Sequence, residues 1–235
     1  HQFGGVLIMK PHLKDTLHLK EELSLANESL KIPLLTAIDQ EGGKVNRLQA
    51  ISPEWKNLPS AKEMRAMTDD SVYNLAKQIG NALHHYGINL NLAPVLDPPK
   101  DSKGKPSFIE VSNRSFGEFE TAVPKIRSFV KGMKESKVLS TSKHFPGYDS
   151  WTNSDHQIAF STSSKDVILK NVELFKEFAD EIPVIMLSSV RFVRLSNTPA
   201  VFNPKITAMA REISPYTVLL TDDLWGVSLR AWISG

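Results

Sequence analysis

Apolar and polar positions alternate in blocks along this chain. Six short apolar runs stand out: Gly5–Lys10, Ile32–Ile38, Ile88–Leu96, Val138–Ser142, Pro183–Leu187 and Thr217–Leu220. Each is continuously apolar rather than alternating, and each stops at a polar cluster. Amphipathic stretches lie between them, and helices are predicted from about Leu17 to Leu30, to about Tyr86, over Thr121–Glu135, from about Ser164 and over Pro204–Glu212. Thr68-Asp69-Asp70 and Ser163-Ser164 offer N-caps for two of these, with Asp166 suited to the dipole in the second. Strands buried along their whole length and separated by helices predict a parallel sheet covered on both faces.

Two architectures fit that alternation, a doubly wound sheet and a (β/α)₈ barrel. The polar clusters favour the barrel. Asp39, Asp97, Lys143-His144, Ser188 and Asp222 all sit at the C-terminal ends of predicted strands. A barrel gathers those ends at one mouth, whereas a doubly wound sheet gathers only the few at its switch point. No glycine-rich phosphate loop follows the first strand, and Gly42-Gly43 alone does not make one. Two segments lack periodicity. Lys100–Glu118 reads as a long excursion. Gly147–Ser163, between a strand and a capped helix, reads as a mobile lid, because loops of that length are uncommon without a function.

The bulk composition removes several function classes. A length of 235 residues suits one large α/β domain, and no linker divides it. A net charge of only +2, without a basic cluster, gives no case for nucleic acid. No apolar run is long enough to span a membrane. The absence of cysteine rules out disulfides and thiolate metal sites. His84 and His85 are neighbours on a helix and face different ways, so no metal or other cofactor is expected. The chain opens almost directly in a strand and shows no signal peptide. The expectation is that an original N-terminus is missing, which leaves secretion or lipid anchoring open beside the cytoplasm.

Asp222 is the sharpest single residue. A carboxylate directly after an apolar strand is held on rigid backbone, as a nucleophile requires, while Asp223 suits a helix cap. Arg47, Arg114 and Lys143 add cationic donors and Asp39 an acceptor. Donors and acceptors without a metal pattern suit a polyhydroxylated ligand such as a sugar.

Four motifs then carry a resemblance. Ile38-Asp39-Gln40-Glu41-Gly42-Gly43-Lys44-Val45-Asn46-Arg47, Asn113-Arg114-Ser115-Phe116-Gly117, Lys143-His144-Phe145-Pro146-Gly147 and Thr221-Asp222-Asp223-Leu224 occur in that order. Together they resemble glycoside hydrolase family 3, and most nearly its bacterial β-N-acetylglucosaminidases, including those that recycle cell-wall muropeptides. The resemblance implies a TIM-type (β/α)₈ barrel acting as a monomer. It implies a retaining hydrolase that removes terminal β-linked N-acetylglucosamine through a covalent glycosyl-enzyme, with peptidoglycan fragments as the expected carbohydrate substrate. Asp222 would be the nucleophile. Asp39, Arg47, Arg114, Lys143 and His144 would hold the sugar ring. His156, twelve residues beyond His144, would be the acid/base on a mobile loop.

The sequence departs from the family pattern in two places. Relatives carry His-Gly after Phe-Pro-Gly and Asp-Ser-His at the acid/base; here the residues are Tyr148-Asp149 and Ser154-Asp155-His156. The carboxylate that orients the histidine is displaced by one position, which leaves Asp155 as its expected partner. In addition, six strands are visible where the family barrel has eight, so residues 1–235 are expected to be one barrel domain trimmed at both ends. The competing reading is a family 3 scaffold that binds amino sugars without turning them over.

Overall fold

The computed structural model describes residues 3–233. Its strands are β1 (Gly5–Ile8), β2 (Leu35–Ile38), β3 (Leu90–Asn91), β4 (Leu139–Phe145), β5 (Phe160–Ser161), β6 (Val184–Leu187), β7 (Arg191–Phe192) and β8 (Val218–Thr221). Its helices are α1 (Thr16–Glu28), α2 (Ala61–Met64), α3 (Asp69–His85), α4 (Phe108–Val111), α5 (Phe119–Glu135), α6 (Lys165–Glu177), α7 (Pro204–Ile213) and α8 (Val227–Ile233). The six strands read from the sequence form one parallel sheet in chain order, β1-β2-β3-β4-β6-β8. Thr68 and Ser164 cap α3 and α6 as their positions suggest, each side chain accepting a backbone N–H from the first turn.

The sheet curls. Leu7 and Met9 at its first strand line the same cavity as Thr221 and Leu224 at its last. Its concave face carries a small apolar cluster, Leu90, Leu92, Val184 and Met186, with Leu35, Ala37 and Leu220 against it. Its convex face packs Ile38, Ile185 and Leu187 into the main core beneath the helices. Alternate residues of one strand therefore enter two different cores, which is why the runs read as continuously apolar. The strands at the two edges differ: Val6, Leu7 and Val218 are exposed. Among the described residues no pairing joins β1 to β8. The architecture is thus an α/β fold around a curled, parallel half-barrel sheet.

Three details differ from the sequence expectations. The long third run pairs regularly only over β3, because Pro94 has no N–H for the ladder; Val95 makes a single bridge to Lys143. The loop from Gly147 to Ser163 contains β5, which pairs in parallel with β7. The residues after Asp223, for which no helix is predicted, form α8, whereas Ser234 and Gly235 lie outside the described residues. Outside the sheet, α3 crosses α5 at very short range. A Cβ on Gly132 would stand 2.6 Å from the Tyr73 carbonyl oxygen and 2.8 Å from the Ala76 Cβ, so only glycine permits this crossing.

Candidate functional site

A cavity of about 700 Å³ opens at the C-terminal ends of the sheet strands, within the range usual for small-molecule sites. Asp39, Arg47, Arg114, Lys143, His144, Asp155 and Asp222, from six places in the sequence, all line it.

β2 delivers the first carboxylates. Asp39 and Glu41 are two residues apart on extended chain and so reach the same side. Lys143 Nζ lies 2.6 Å from Asp39 Oδ1 and 2.6 Å from Glu41 Oε1. Arg114 closes the cluster with a fork onto Glu41, Nε to Oε2 and Nη2 to Oε1, both at 2.8 Å. Lys143 is 2% exposed and Glu41 6%, so these charges survive only because they are paired. Burial opposes the charge of Glu41, but Arg114 and Lys143 outweigh it and hold its carboxyl well below the usual carboxylate range. Burial likewise opposes the charge of Lys143, and Asp39 and Glu41 reverse that, raising its proton affinity.

β4 contributes two consecutive residues to one cavity, which a regular strand would turn to opposite faces. Its register against β6 shifts between Lys143 and Phe145, and this irregularity brings both Lys143 and His144 inward. Asp97, buried at the end of the third run, organises the second of them. Its Oδ2 is 2.6 Å from His144 Nδ1, and its Oδ1 accepts the backbone N–H groups of His144 at 2.8 Å and Tyr148 at 2.7 Å. With Nδ1 committed to Asp97, Nε2 is the ring nitrogen available to a ligand. Arg47 also lines the cavity, and its buried Nε has no partner among the described residues.

β8 delivers Asp222. Its Oδ2 accepts the Ser189 hydroxyl at 2.8 Å and its Oδ1 the Asp223 backbone N–H at 2.8 Å, so the carboxylate is oriented from both sides. Asp223 also lines the cavity, contrary to the expectation that it caps a helix away from it. It does engage backbone, accepting the Trp225 N–H at 2.9 Å in a tight turn.

Two features of the loop after β4 bear on the sequence reading. First, it is anchored along its length by buried groups. The Tyr148 hydroxyl donates to the Thr152 carbonyl at 2.5 Å and accepts the Ser154 N–H at 2.8 Å. The Ser163 hydroxyl meets the Asp149 carboxylate. Burial pushes the Tyr148 hydroxyl up to about 12 and raises the Asp149 carboxyl as well. Second, the turn over residues 153–156 places Asp155 on the cavity wall and His156 is not among the residues that line it, while both residues are exposed. The first turn of α8 fixes this arrangement: the Val227 N–H donates to the Asp155 carbonyl at 3.2 Å and the Ser228 N–H to the Ser154 carbonyl at 3.0 Å.

Reasoning from sequence put Asp97 at the mouth without giving it a role, and overlooked Glu41, Tyr148 and Ser189 as parts of the site. Glu41 carried a signal, its two-residue spacing from Asp39. Asp97 was visible as a polar strand end. Ser189 was hidden because its neighbour Ser188 occupies the equivalent strand end, yet Ser188 turns back to accept the Val190 N–H at 3.1 Å. Among the described residues, no group of three or more His, Asp or Glu side chains is placed to hold a metal ion.

Known proteins share this framework. Residues 1–216 match the glycosyl hydrolase family 3 N terminal domain. A beta-hexosaminidase of Pseudomonas aeruginosa is 28% identical over 234 residues, covering 95% of this chain and 67% of the relative. A beta-hexosaminidase of Glaesserella parasuis is 28% identical over 206 residues, covering 84% of this chain and 57% of the relative. The crystal structure of beta-N-acetylhexosaminidase from Beutenbergia cavernae superposes with a TM-score of 0.79 at 27% identity, covering 91% of this chain and 67% of that one. NagZ from Neisseria gonorrhoeae, in complex with N-trifluoroacetyl-D-glucosamine, shares the fold with a TM-score of 0.82 at 22% identity, covering 99% and 71%. With a family match that runs through β1 to β6 and nearly to β8, this chain belongs to glycosyl hydrolase family 3 and carries its N-terminal domain.

Proposed function

We propose that this protein is a retaining β-N-acetylhexosaminidase that removes terminal β-linked N-acetylglucosamine from cell-wall amino-sugar glycosides. The observation that carries the reading is Asp222. Its carboxylate is oriented by Ser189 and by the Asp223 N–H, and it shares a cavity with a donor and acceptor set suited to a sugar ring. In this reading Asp222 attacks the anomeric carbon and forms an ester to the sugar, which water then hydrolyses. Asp39, Lys143, His144, Arg114 and Arg47 bind the ring hydroxyls and the N-acetyl group. The turn that holds Asp155 and His156 supplies the proton for the leaving oxygen. The names of the relatives favour turnover over a binding role.

The finer fold assignment belongs with this reading. The half-barrel sheet is the wall of a TIM-type (β/α)₈ barrel, and residues 1–235 are part of one catalytic unit. Both edge strands expose apolar side chains, as strands awaiting neighbours would. The reading takes the protein as a monomer, which sedimentation of the active protein tests.

The deciding experiment is burst kinetics with a chromogenic β-N-acetylglucosaminide, followed by trapping with a 5-fluoro-N-acetylglucosaminyl fluoride and peptide mapping. The label is expected on Asp222, and Asp222→Asn should lose turnover while keeping its melting temperature. A label on Asp223, or an active Asp222→Asn variant, would sink the assignment.

A further inference from the structure

We infer that Tyr148 is a positioning residue of the reaction: its buried phenol holds the turn over residues 153–156 in register with the sugar-binding residues before substrate arrives. The inference rests on the retaining hydrolase reading above, in which that turn supplies the proton. It is the same whichever of Asp155 and His156 carries that proton.

Tyr148 is 3% exposed and is fixed at both ends. Its backbone N–H donates to Asp97 Oδ1 at 2.7 Å, the same oxygen that accepts the His144 N–H at 2.8 Å, while Asp97 Oδ2 meets His144 Nδ1 at 2.6 Å. Its ring stands edge-on to the His144 ring, with centroids 5.7 Å apart. At its tip, the hydroxyl donates to the Thr152 carbonyl at 2.5 Å and accepts the Ser154 N–H at 2.8 Å. Those backbone groups lie just ahead of Asp155 and His156. A side chain with only two rotatable bonds therefore spans from the His144–Asp97 pair to the turn. The far side of the turn is tied to the nucleophile. The Ser154 carbonyl accepts the Ser228 N–H at 3.0 Å, the Ser228 hydroxyl donates to the Ser189 carbonyl at 3.1 Å, and the Ser189 hydroxyl donates to Asp222 Oδ2 at 2.8 Å. Ser154 thus has its N–H referred to His144 and its carbonyl referred to Asp222.

The chemistry of the phenol suits this task. One hydroxyl can donate and accept at once, so it satisfies a carbonyl and an N–H that are both on buried residues. Burial pushes the hydroxyl up to about 12, so it keeps the proton it gives to Thr152 throughout the neutral range. Without the hydroxyl, both backbone groups lose their partner, and the turn must shift to find others. A proton donor has to stand within hydrogen-bond reach of the leaving oxygen, and a misplacement of about 1 Å can cost about 10²-fold. The bonds that fix the turn lie away from the sugar-binding cations, so they set the placement of the acid/base rather than the affinity for the ring.

The test begins with amide hydrogen exchange on the wild-type protein without sugar. The Ser154 N–H should be protected, and Tyr148→Phe should speed its exchange about tenfold or more. Rapid exchange of that amide in the wild type would overturn the inference without any variant. Values of kcat/KM are then measured for wild type, Tyr148→Phe and, as a destabilised control, Gly132→Ala. The substrates are two N-acetylglucosaminides, one with a dinitrophenyl leaving group and one with an alkyl aglycone. Tyr148→Phe is expected to lose roughly 10–10²-fold on the alkyl glycoside. The dinitrophenyl glycoside, which departs without a proton, should be largely spared, and the dissociation constant for free N-acetylglucosamine should be unchanged. Gly132→Ala should show no such split. Equal losses on both substrates, a split of the same size in Gly132→Ala, or sugar affinity falling in step with turnover would overturn the inference. Wild-type protein inert toward every N-acetylglucosaminide would refute the hydrolase reading itself, and the positioning role with it. An active enzyme labelled at Asp222 whose Tyr148→Phe variant matches the wild type would refute the positioning role alone.

Discussion

Glu41 is the keystone of the charged cluster, and its replacement by glutamine should be the costliest conservative change in the site. The carboxylate takes Arg114 in a fork at 2.8 Å and Lys143 at 2.6 Å, while Lys143 also reaches Asp39. Two carboxylates therefore balance two cations. Glutamine keeps the volume, but it supplies one acceptor oxygen where two were used, and its NH₂ faces donors. It also leaves the buried cluster with net positive charge. Removing one partner of a buried charged network typically costs about 3–5 kcal/mol. For a chain of this length, each kcal/mol moves the melting point by about 2–4 °C, so Glu41→Gln should melt about 6–20 °C below wild type. The pH dependence has a definite sign. The folded-state proton affinity of Glu41 is depressed, so its contribution is fully present above the ordinary glutamate pKa of about 4.3 and is lost as pH falls toward the folded value. The gap between the two proteins, measured by calorimetry from pH 7 downward, should therefore stay constant to about pH 5 and then narrow. A variant melting within about 2 °C of wild type at neutral pH would refute the account, because the cluster could not then be a dry, mutually dependent set of charges.

Three further outcomes follow from particular contacts. Ser189→Ala removes the hydroxyl that Asp222 Oδ2 accepts, a bond to a charged group, and in the proposed mechanism Asp222 is the leaving group of the second step. Hydrolysis of the glycosyl-enzyme should slow about tenfold or more, enlarging the burst seen in stopped flow; an unchanged burst would count against the contact. Asp149 is buried with one oxygen unpartnered, and its folded proton affinity is raised, so its contribution is favourable only below the unfolded pKa and is lost as pH rises through the folded value. Asp149→Asn should consequently stabilise the protein at pH 7 and flatten its stability toward high pH, and urea titrations showing destabilisation at pH 7 would contradict this. Gly132→Ala drives a Cβ into the α3 backbone and should cost about 1–3 kcal/mol in the same titrations without changing kinetic constants.

The sequence made the sheet legible because both of its faces are covered, and a run such as Val184-Ile185-Met186-Leu187 is apolar whichever way its residues point. The same property concealed the edges. Val6, Leu7 and Val218 read like core residues, and nothing local distinguishes an apolar residue in a core from one along an unpaired strand. The site was legible wherever a polar residue ended an apolar run, which located Asp39, Lys143 and Asp222. It was illegible wherever a residue acts through distant partners. Asp97 matters because it accepts from His144 and Tyr148, about fifty positions away in sequence.

The turn over residues 153–156 shows the limit most clearly. Spacing from Lys143-His144 correctly locates the segment, but spacing alone counts residues and says nothing of which side chain faces inward. The backbone of the turn is held from elsewhere: the carbonyls of Ser154 and Asp155 receive N–H groups from the start of α8, some seventy residues later. The stretch that forms α8 is given no helix by the sequence, because it lacks a caps-and-period signature strong enough to mark one. Yet its first turn, together with the close approach of Gly226, holds the backbone of the turn that carries Asp155 and His156. A bulky residue at position 226 should therefore disturb the acid/base without touching substrate. Gly226→Val places two methyls against the Ser154 carbonyl and the Asp155 carboxyl, and should slow turnover of glycosides with poor leaving groups more than that of activated aryl glycosides, while leaving the Lys143–Glu41–Arg114 cluster and affinity for free N-acetylglucosamine intact. Loss of sugar affinity in parallel with turnover would show instead that the turn supports the whole cavity rather than one proton transfer.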